Sequence, residues 1–548
     1  MIPLGDLDLR SEIHQATVSR RRTGRGYTRR IYSAYVDGKN SKKTVALYQG
    51  RAAEEVWRRD LKRYPTLRHP NVAQVYATAT SYDLYAVVFH DELLPIEHTL
   101  RMYRHSPILT AYLLGNFAMD AYDAEDYIYD VTGHCSFMIF NSAMRVRAST
   151  GRLCIELIPC DDVHSLLTYT LSADRIPQGS ILSLGVDQEL AIISTLTLDQ
   201  FHQISFQHMG HSEVLSTNAD IDFAVGSVTI FPRKDCGTFQ YRCFDEIVEV
   251  AHITSHILHD PGWGLNNNSA PSGLLMENGW TRFTSCEITE TCVGRVLRCH
   301  GGPQMSYGNP WLPQANHIFN RLQNLSHYED YVFTDYIGYF IYLRDTPHVE
   351  LSGYLFICPL QDLQSATSGR FSIRDRDSDC VAYWTLDAAG GDRLSPKEAK
   401  RLGFPALSFS AHAHQISWDR SVYAGLRQFH TGKGFDPDSQ DIAQYVGVPL
   451  YQLSAGSDAL FAQVEEGDPK VVNSTMLSSK TELSEMEETG FNSTHSECSQ
   501  PNTFSMPRTE WSWALGPVAG LLASIAMWLW FSDATSVVTG LLELFYLC

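Results

Sequence analysis

The chain has 548 residues, 44% of them hydrophobic and 19% charged, with a formal net charge of −19. At roughly 100–200 residues per domain this length exceeds one ordinary domain, and the apolar content excludes wholesale disorder and a polytopic membrane protein. The acidic balance argues against nucleic acid as a partner.

The charge is unevenly spread. Residues 1–110 carry 18 Lys and Arg against 11 Asp and Glu, a local +7 that leaves −26 for the remainder. The excess concentrates in Arg20-Arg21-Arg22-Thr23-Gly24-Arg25-Gly26-Tyr27-Thr28-Arg29-Arg30. Such a run is either a patch for phosphate, anionic lipid or nuclear import, or a solvated loop entering a strand. The opening Met1-Ile2-Pro3-Leu4-Gly5-Asp6 lacks the basic start and apolar core of a secretory signal, which places the bulk of the chain in a reducing compartment. Twelve cysteines without a Cys-x-x-Cys pair agree with this, and Cys286, Cys292, Cys299 and His300 match no zinc module. The sequons at Asn267, Asn324, Asn473 and Asn492 are then expected to be unglycosylated.

Strands are predicted at Arg30–Val36 and Lys43–Tyr48, joined by the hairpin signal Asp37-Gly38-Lys39-Asn40. A helix follows at Ala52–Tyr64, with Val56, Trp57, Leu61 and Tyr64 on one face. Two strands, Ala73–Ala77 and Leu84–Phe89, precede a helix through Ala111–Tyr129. This order resembles a protein-kinase small lobe followed by its first large-lobe helix. Leu67-Arg68-His69-Pro70-Asn71-Val72 with Gln74-Val75-Tyr76 resembles the helix-to-strand turn of tyrosine-kinase-like domains. Val45-Ala46-Leu47-Tyr48 resembles the strand that carries Val-Ala-Ile-Lys in active kinases.

The resemblance puts Tyr48 where the phosphate-pairing lysine belongs and Asp60 where the helix glutamate would meet it. A tyrosine supplies no cation to a triphosphate. Gly24 and Gly26 lack the full glycine-loop spacing, His-Arg-Asp is missing, and Asp222-Phe223-Ala224 is too short a match to stand for Asp-Phe-Gly. Phosphoryl transfer rests on positioning and charge neutralisation, so these losses together imply a degenerate, non-catalytic kinase-like module over residues 1–135.

Residues 136–460 read as a mixed α/β body. Ser395-Pro396-Lys397-Glu398 is a capping box opening a helix that Gly403 closes. Val422, Leu426 and Phe429 mark a helix around Trp418–His430, and Asp436-Pro437-Asp438-Ser439 starts another before Ile442, Tyr445 and Val446. Gly432-Lys433-Gly434-Phe435 between them lacks the Walker spacing and reads as a loop. Ser421 through Leu453, and Trp311-Leu312-Pro313-Gln314-Ala315-Asn316-His317, resemble signatures of an expanded family of mushroom-forming (agaricomycete) fungi. That resemblance implies relatives described as kinase-like or of unknown function, and carries no activity with it.

One cluster offers metal chemistry. His252, His256 and His259, spaced by four and three, share one face if helical, with Glu249 a turn before. The other reading is a polar helix face.

Residues 465–510 hold nine acidic and three basic residues with little apolar periodicity, the composition of a disordered tether. Trp511–Phe531 then runs 21 residues without a charge, with tryptophans at both ends, and reads as a transmembrane helix. It predicts a tail-anchored, single-pass protein whose bulk faces the cytosol. A tail without basic residues points to the endoplasmic reticulum over mitochondria.

The expected fold class is therefore α+β: a kinase small-lobe-like module (1–135), a mixed body (136–460), an acidic linker (461–510), one transmembrane helix (511–531) and a short apolar tail (532–548). The expected function is a membrane-tethered, non-catalytic interaction or scaffold protein with no cofactor and with protein partners. The alternatives are an atypical active kinase that binds ATP through another lysine such as Lys43, or a metal-dependent enzyme on the His252, His256, His259 face.

Overall fold

The computed structural model describes residues 1–18, 26–36, 41–133, 143–157, 188–215, 221–230, 233–236, 239–242, 247–253, 258–265, 273–286, 288, 292–299, 309–323, 327–344, 352–365, 370–373 and 378–454. The basic run 20–25, the turn 37–40, the four sequons, His256, His300, the tether 465–510 and the segments 511–531 and 532–548 lie outside them.

The expected fold class is corrected. The described residues form a mixed α/β structure in which no helix is long and apolar enough to cross a membrane. The longest described helix, 26 residues, carries Asp120, Asp123, Glu125, Asp126 and Asp130 in its second half, charges that a lipid-facing span could not hold.

Five antiparallel strands near the N-terminus pair in the order β1-β2-β3-β5-β4: β1 (Leu7–Val18), β2 (Tyr27–Val36), β3 (Lys43–Gln49), β4 (Val75–Ser81) and β5 (Leu84–Phe89). The strand β1 was not anticipated from the sequence; its Asp8, Arg10, Ser11 and Glu12 break the apolar alternation that marks a half-buried strand. Helix α1 (Ala53–Leu61) packs on β3 and β5, and turns Ala53, Val56 and Asp60 inward at helical spacing. A three-stranded sheet, β6 (Leu93–Pro95), β7 (Ala143–Arg147) and β8 (Leu153–Glu156), adjoins it. Its Cys154 and Ile155 share a core with Tyr48, Val56 and Phe89.

Helix α2 (Ile96–Tyr103) leads to α3 (Pro107–Thr132), which Ser106 caps by accepting from the Leu109 N–H at 3.1 Å, with Pro107 in the first turn. The helix is apolar nearly all round in its first half because it is buried on several sides. Ile108 through Ala121 lie in the largest core, whereas Ala124 and Ile128 lie in the core under the N-terminal sheet. One helix thus belongs to both.

The body is built on a nine-stranded sheet whose spine is the 14-residue strand Tyr331–Arg344. Ala406–Ser417 pairs along one edge; Val228–Ile230 and Cys292–Cys299 pair along the other. A bulge between Thr334 and Tyr336 reverses which side chains face which way. Before it, Tyr331 and Phe333 face the helical core; after it, Ile337, Tyr339, Ile341 and Leu343 face a second core shared with the sheet of Thr281–Thr284, Tyr354–Ile357 and Ala382–Thr385. The helices Leu198–His208, Ala315–Arg321 and Arg420–Gly432 cover the first core. The Ser395 capping box and the positive φ of Gly403 (87°) occur as the sequence predicts, around the helix Pro396–Arg401.

Candidate functional site

The two positions singled out by the kinase resemblance meet inside the N-terminal core. Tyr48 faces inward from β3, Asp60 faces inward from α1, and the Tyr48 hydroxyl donates to Asp60 Oδ2 at 3.1 Å. Arg29, directly opposite Tyr48 in the β2–β3 register, donates from Nε to the same hydroxyl at 3.1 Å. The Arg29 guanidinium also binds Glu156 at the end of β8, and Arg145 Nε reaches the other carboxylate oxygen of Glu156 at 3.3 Å. Asp60 Oδ1 faces Arg63 at 3.4 Å and Arg59 at 3.5 Å.

Burial sets the electrostatics of this group. It pushes the Tyr48 phenol well up, so the hydroxyl stays protonated and keeps donating. Burial opposes the charges on Arg29 and Glu156, but each more than offsets that for the other. The guanidinium therefore titrates above its usual range, and Arg29 with Arg145 holds the Glu156 carboxyl below its own. Burial raises the Asp60 carboxyl against the pull of Arg63, Arg59 and Arg29. Arg63 donates to the Leu157 carbonyl and the Leu157 N–H donates to the Tyr64 hydroxyl, which ties α1 and the turn after it to β8. The guanidinium beside Tyr48 is already committed to a carboxylate.

Arg29, Arg145 and Glu156 were missed in the sequence. The available signal was alternation: Tyr27, Arg29 and Ile31 fall on one side of β2, and an arginine between two inward apolar residues needs a buried partner. Lys43, the alternative lysine, is five residues from Tyr48 on a regular strand and so lies on the opposite face of the sheet. Its Nζ donates to the His90 carbonyl at 2.6 Å and sits 4.8 Å from the Tyr76 ring centroid. Phe223 is a core side chain, and Asp222-Phe223 forms a two-residue bridge with Phe371-Ser372.

The two segments that resemble a fungal family signature fold against each other. Trp311 Nε1 donates to the Tyr423 hydroxyl at 3.2 Å, Asn316 donates to the Tyr423 carbonyl at 3.2 Å, and His317 Nδ1 lies 2.7 Å from the Asp438 carbonyl. Gln314 accepts the Tyr451 N–H at 2.9 Å and donates to the Pro310 and Pro449 carbonyls at 2.8 Å each. Gln440 donates to Gln314 at 2.7 Å and to the Tyr451 carbonyl at 3.0 Å. Two glutamine side chains therefore occupy the outer edge of the strand Tyr451–Leu453, on which no strand pairs among the described residues. Trp311, Leu312 and Ala315 are fully buried, so these positions serve packing.

The histidine cluster is also rearranged. Val248–Ile253 is a strand, not a helix, and His259 lies on a separate strand, Leu258–His259, so the helical spacing does not apply. The β-branched run Ile247, Val248, Val250 and Ile253 favours the extended form. His252 Nδ1 lies 2.9 Å from the Ser454 hydroxyl, beside Glu249. Among the described residues, no group of three or more His, Cys, Asp and Glu is arranged to hold a metal ion. Gly432 ends the helix Arg420–Gly432, and Lys433-Gly434-Phe435 form the loop that the sequence predicts, with Gly434 at φ 84°. No family model matches this chain, and no curated protein matches it either.

Proposed function

We propose that the kinase-like N-terminal region of this chain is a sealed, non-catalytic interaction or scaffold module. The observation that carries the reading is the Tyr48–Asp60 hydrogen bond, closed on its other side by Arg29 and Glu156. A nucleotide-binding cleft needs a cation free to meet phosphate, and water-filled space to admit it. Here each group at the two resemblance positions is spent on another buried group. The ties from α1 and its following turn to β8 further oppose opening of the region.

The test is thermal unfolding of the full chain with and without ATP and magnesium. An unchanged melting temperature is expected. A rise that Lys43→Ala removes would overturn the reading, because it would mean that a lysine on the far face serves a nucleotide.

A further inference from the structure

Glu249, His252 and Ser454 meet at the edge of the nine-stranded sheet. A bulge sets Thr229 opposite Glu249 but Val228 opposite Ala251, so Val250 and Ala251 are both buried. The extra residue brings Glu249 and His252 to the same side, with the ring nitrogen Nδ1 3.6 Å from Glu249 Oε1. Ser454 follows the neighbouring strand Tyr451–Leu453 and closes the group. Its N–H donates to the Val250 carbonyl at 2.9 Å, its hydroxyl donates to Glu249 Oε1 at 2.8 Å, and the same hydroxyl lies 2.9 Å from His252 Nδ1. Arg370 holds the second carboxylate oxygen of Glu249 at 2.8 Å.

The direction of these bonds determines where the ring is reactive. An ionised carboxylate only accepts, so Ser454 commits its one hydroxyl proton to Glu249. Its oxygen is then an acceptor towards the ring, and Nδ1 must carry the hydrogen. The imidazole lone pair is thereby assigned to Nε2. The His252 side chain is 38% exposed and Glu249 only 10%, so the ring is the open end of the relay and the carboxylate its closed end.

We propose that His252 is an acyl-accepting nucleophile, served by Ser454 and Glu249, whose substrates are esters with good leaving groups. Nε2 attacks the acyl carbon, the bond to the leaving oxygen breaks, and a phenolate or similar anion departs. The acyl-imidazolium loses its Nδ1 proton to Ser454 as Ser454 passes its own to Glu249. Water then adds to the neutral acyl-imidazole, the carbon–nitrogen bond breaks, and the carboxylic acid leaves. The proton on Glu249 returns through Ser454 to Nδ1, and the second proton of the water goes to solvent, balancing the phenolate. Ser454 and Glu249 are positioning residues, and Arg370 keeps the carboxylate in place.

The test uses the full chain with p-nitrophenyl acetate as substrate and diethyl pyrocarbonate as a label mapped by peptide mass spectrometry. His252 is expected to acylate, with Ser454→Ala slowing both its labelling and ester turnover roughly tenfold to a hundredfold, the range that loss of an orienting partner brings at metal-bound imidazoles. Ser454→Thr, which keeps the hydroxyl, restores the rate, and His252→Gln removes the turnover with the circular dichroism spectrum unchanged. Equal labelling of His252 in the native chain and in Ser454→Ala overturns the proposal. So does ester turnover that survives His252→Gln.

Discussion

Tyr48 and Asp60, from a strand and the helix that follows it, are joined by a 3.1 Å hydrogen bond in which the phenol is the donor. The same hydroxyl accepts from Arg29, so one oxygen links a buried cation to a buried carboxyl. Removing that oxygen isolates both neighbours. Tyr48→Phe preserves ring packing and is expected to cost about 1–3 kcal/mol, the penalty for buried polar groups left unpaired. Urea unfolding of the two proteins measures it; a loss under about 0.5 kcal/mol would mean that water replaces the hydroxyl.

Glu156 carries two arginines and is 2% exposed. Glu156→Gln deprives the buried Arg29 and Arg145 of the carboxylate they share, and a destabilisation of about 3–5 kcal/mol is expected. The protection of the Leu157 amide should fall with it in hydrogen exchange, because β8 holds that amide against Tyr64.

Acid should weaken the helical core. His202 and His430 touch Nε2 to Nε2 at 2.8 Å, so only one proton fits between the rings. Burial, with His430 beside it, drives His202 well below its usual range; burial, with Arg427 nearby, lowers His430 to about 3. Unfolded, both rings titrate near about 6.5, so below that pH the unfolded chain binds protons that the folded chain refuses. Stability is then full above about pH 6.5 and is lost as pH falls towards 3, by up to about 1.4 kcal/mol per pH unit for each ring. Denaturation midpoints at pH 7.5 and pH 5, compared with those of His430→Leu, isolate the contribution; the variant should show the shallower dependence.

Gln314 bonds the outward backbone of the edge strand Tyr451–Leu453. Gln314→Ala removes the acceptor for the buried Tyr451 N–H and the donor to Pro310 and Pro449. An expected loss of about 1–3 kcal/mol follows from the orphaned groups alone. Faster exchange of the Tyr451 amide would report it directly.

Helices Arg420–Gly432 and α3 approach closely at Gly425, where an added Cβ would lie 2.5 Å from the Pro107 Cβ. Pro107 is rigid and begins α3, so it cannot step aside. Gly425→Ala is expected to cost about 1–3 kcal/mol by overpacking, measured by thermal unfolding.

Local signals survived the step from sequence to structure. The Ser395 capping box, the helix through Val422, Leu426 and Phe429, and the strands β2 and β3 each depend on neighbours within a turn or a strand. What misled was a period read over too few residues. Histidines spaced four and three suggest a helix, but the β-branched residues around His252 and the pairing of Val248–Ile253 with two strands prevail. The strand β1 was illegible because its polar composition hides an edge position in the sheet.

The sequence by itself marked out positions by resemblance: a tyrosine where the likeness to kinases would call for lysine, an aspartate twelve residues later, and two segments over a hundred residues apart. Their partners were decided by tertiary structure alone. Glu156 reaches Arg29 across 127 positions, His202 reaches His430 across 228, and Ser454 reaches Glu249 across 205. Burial makes an unpaired polar group costly wherever its partner lies along the chain, and chain distance leaves no trace of that in local pattern.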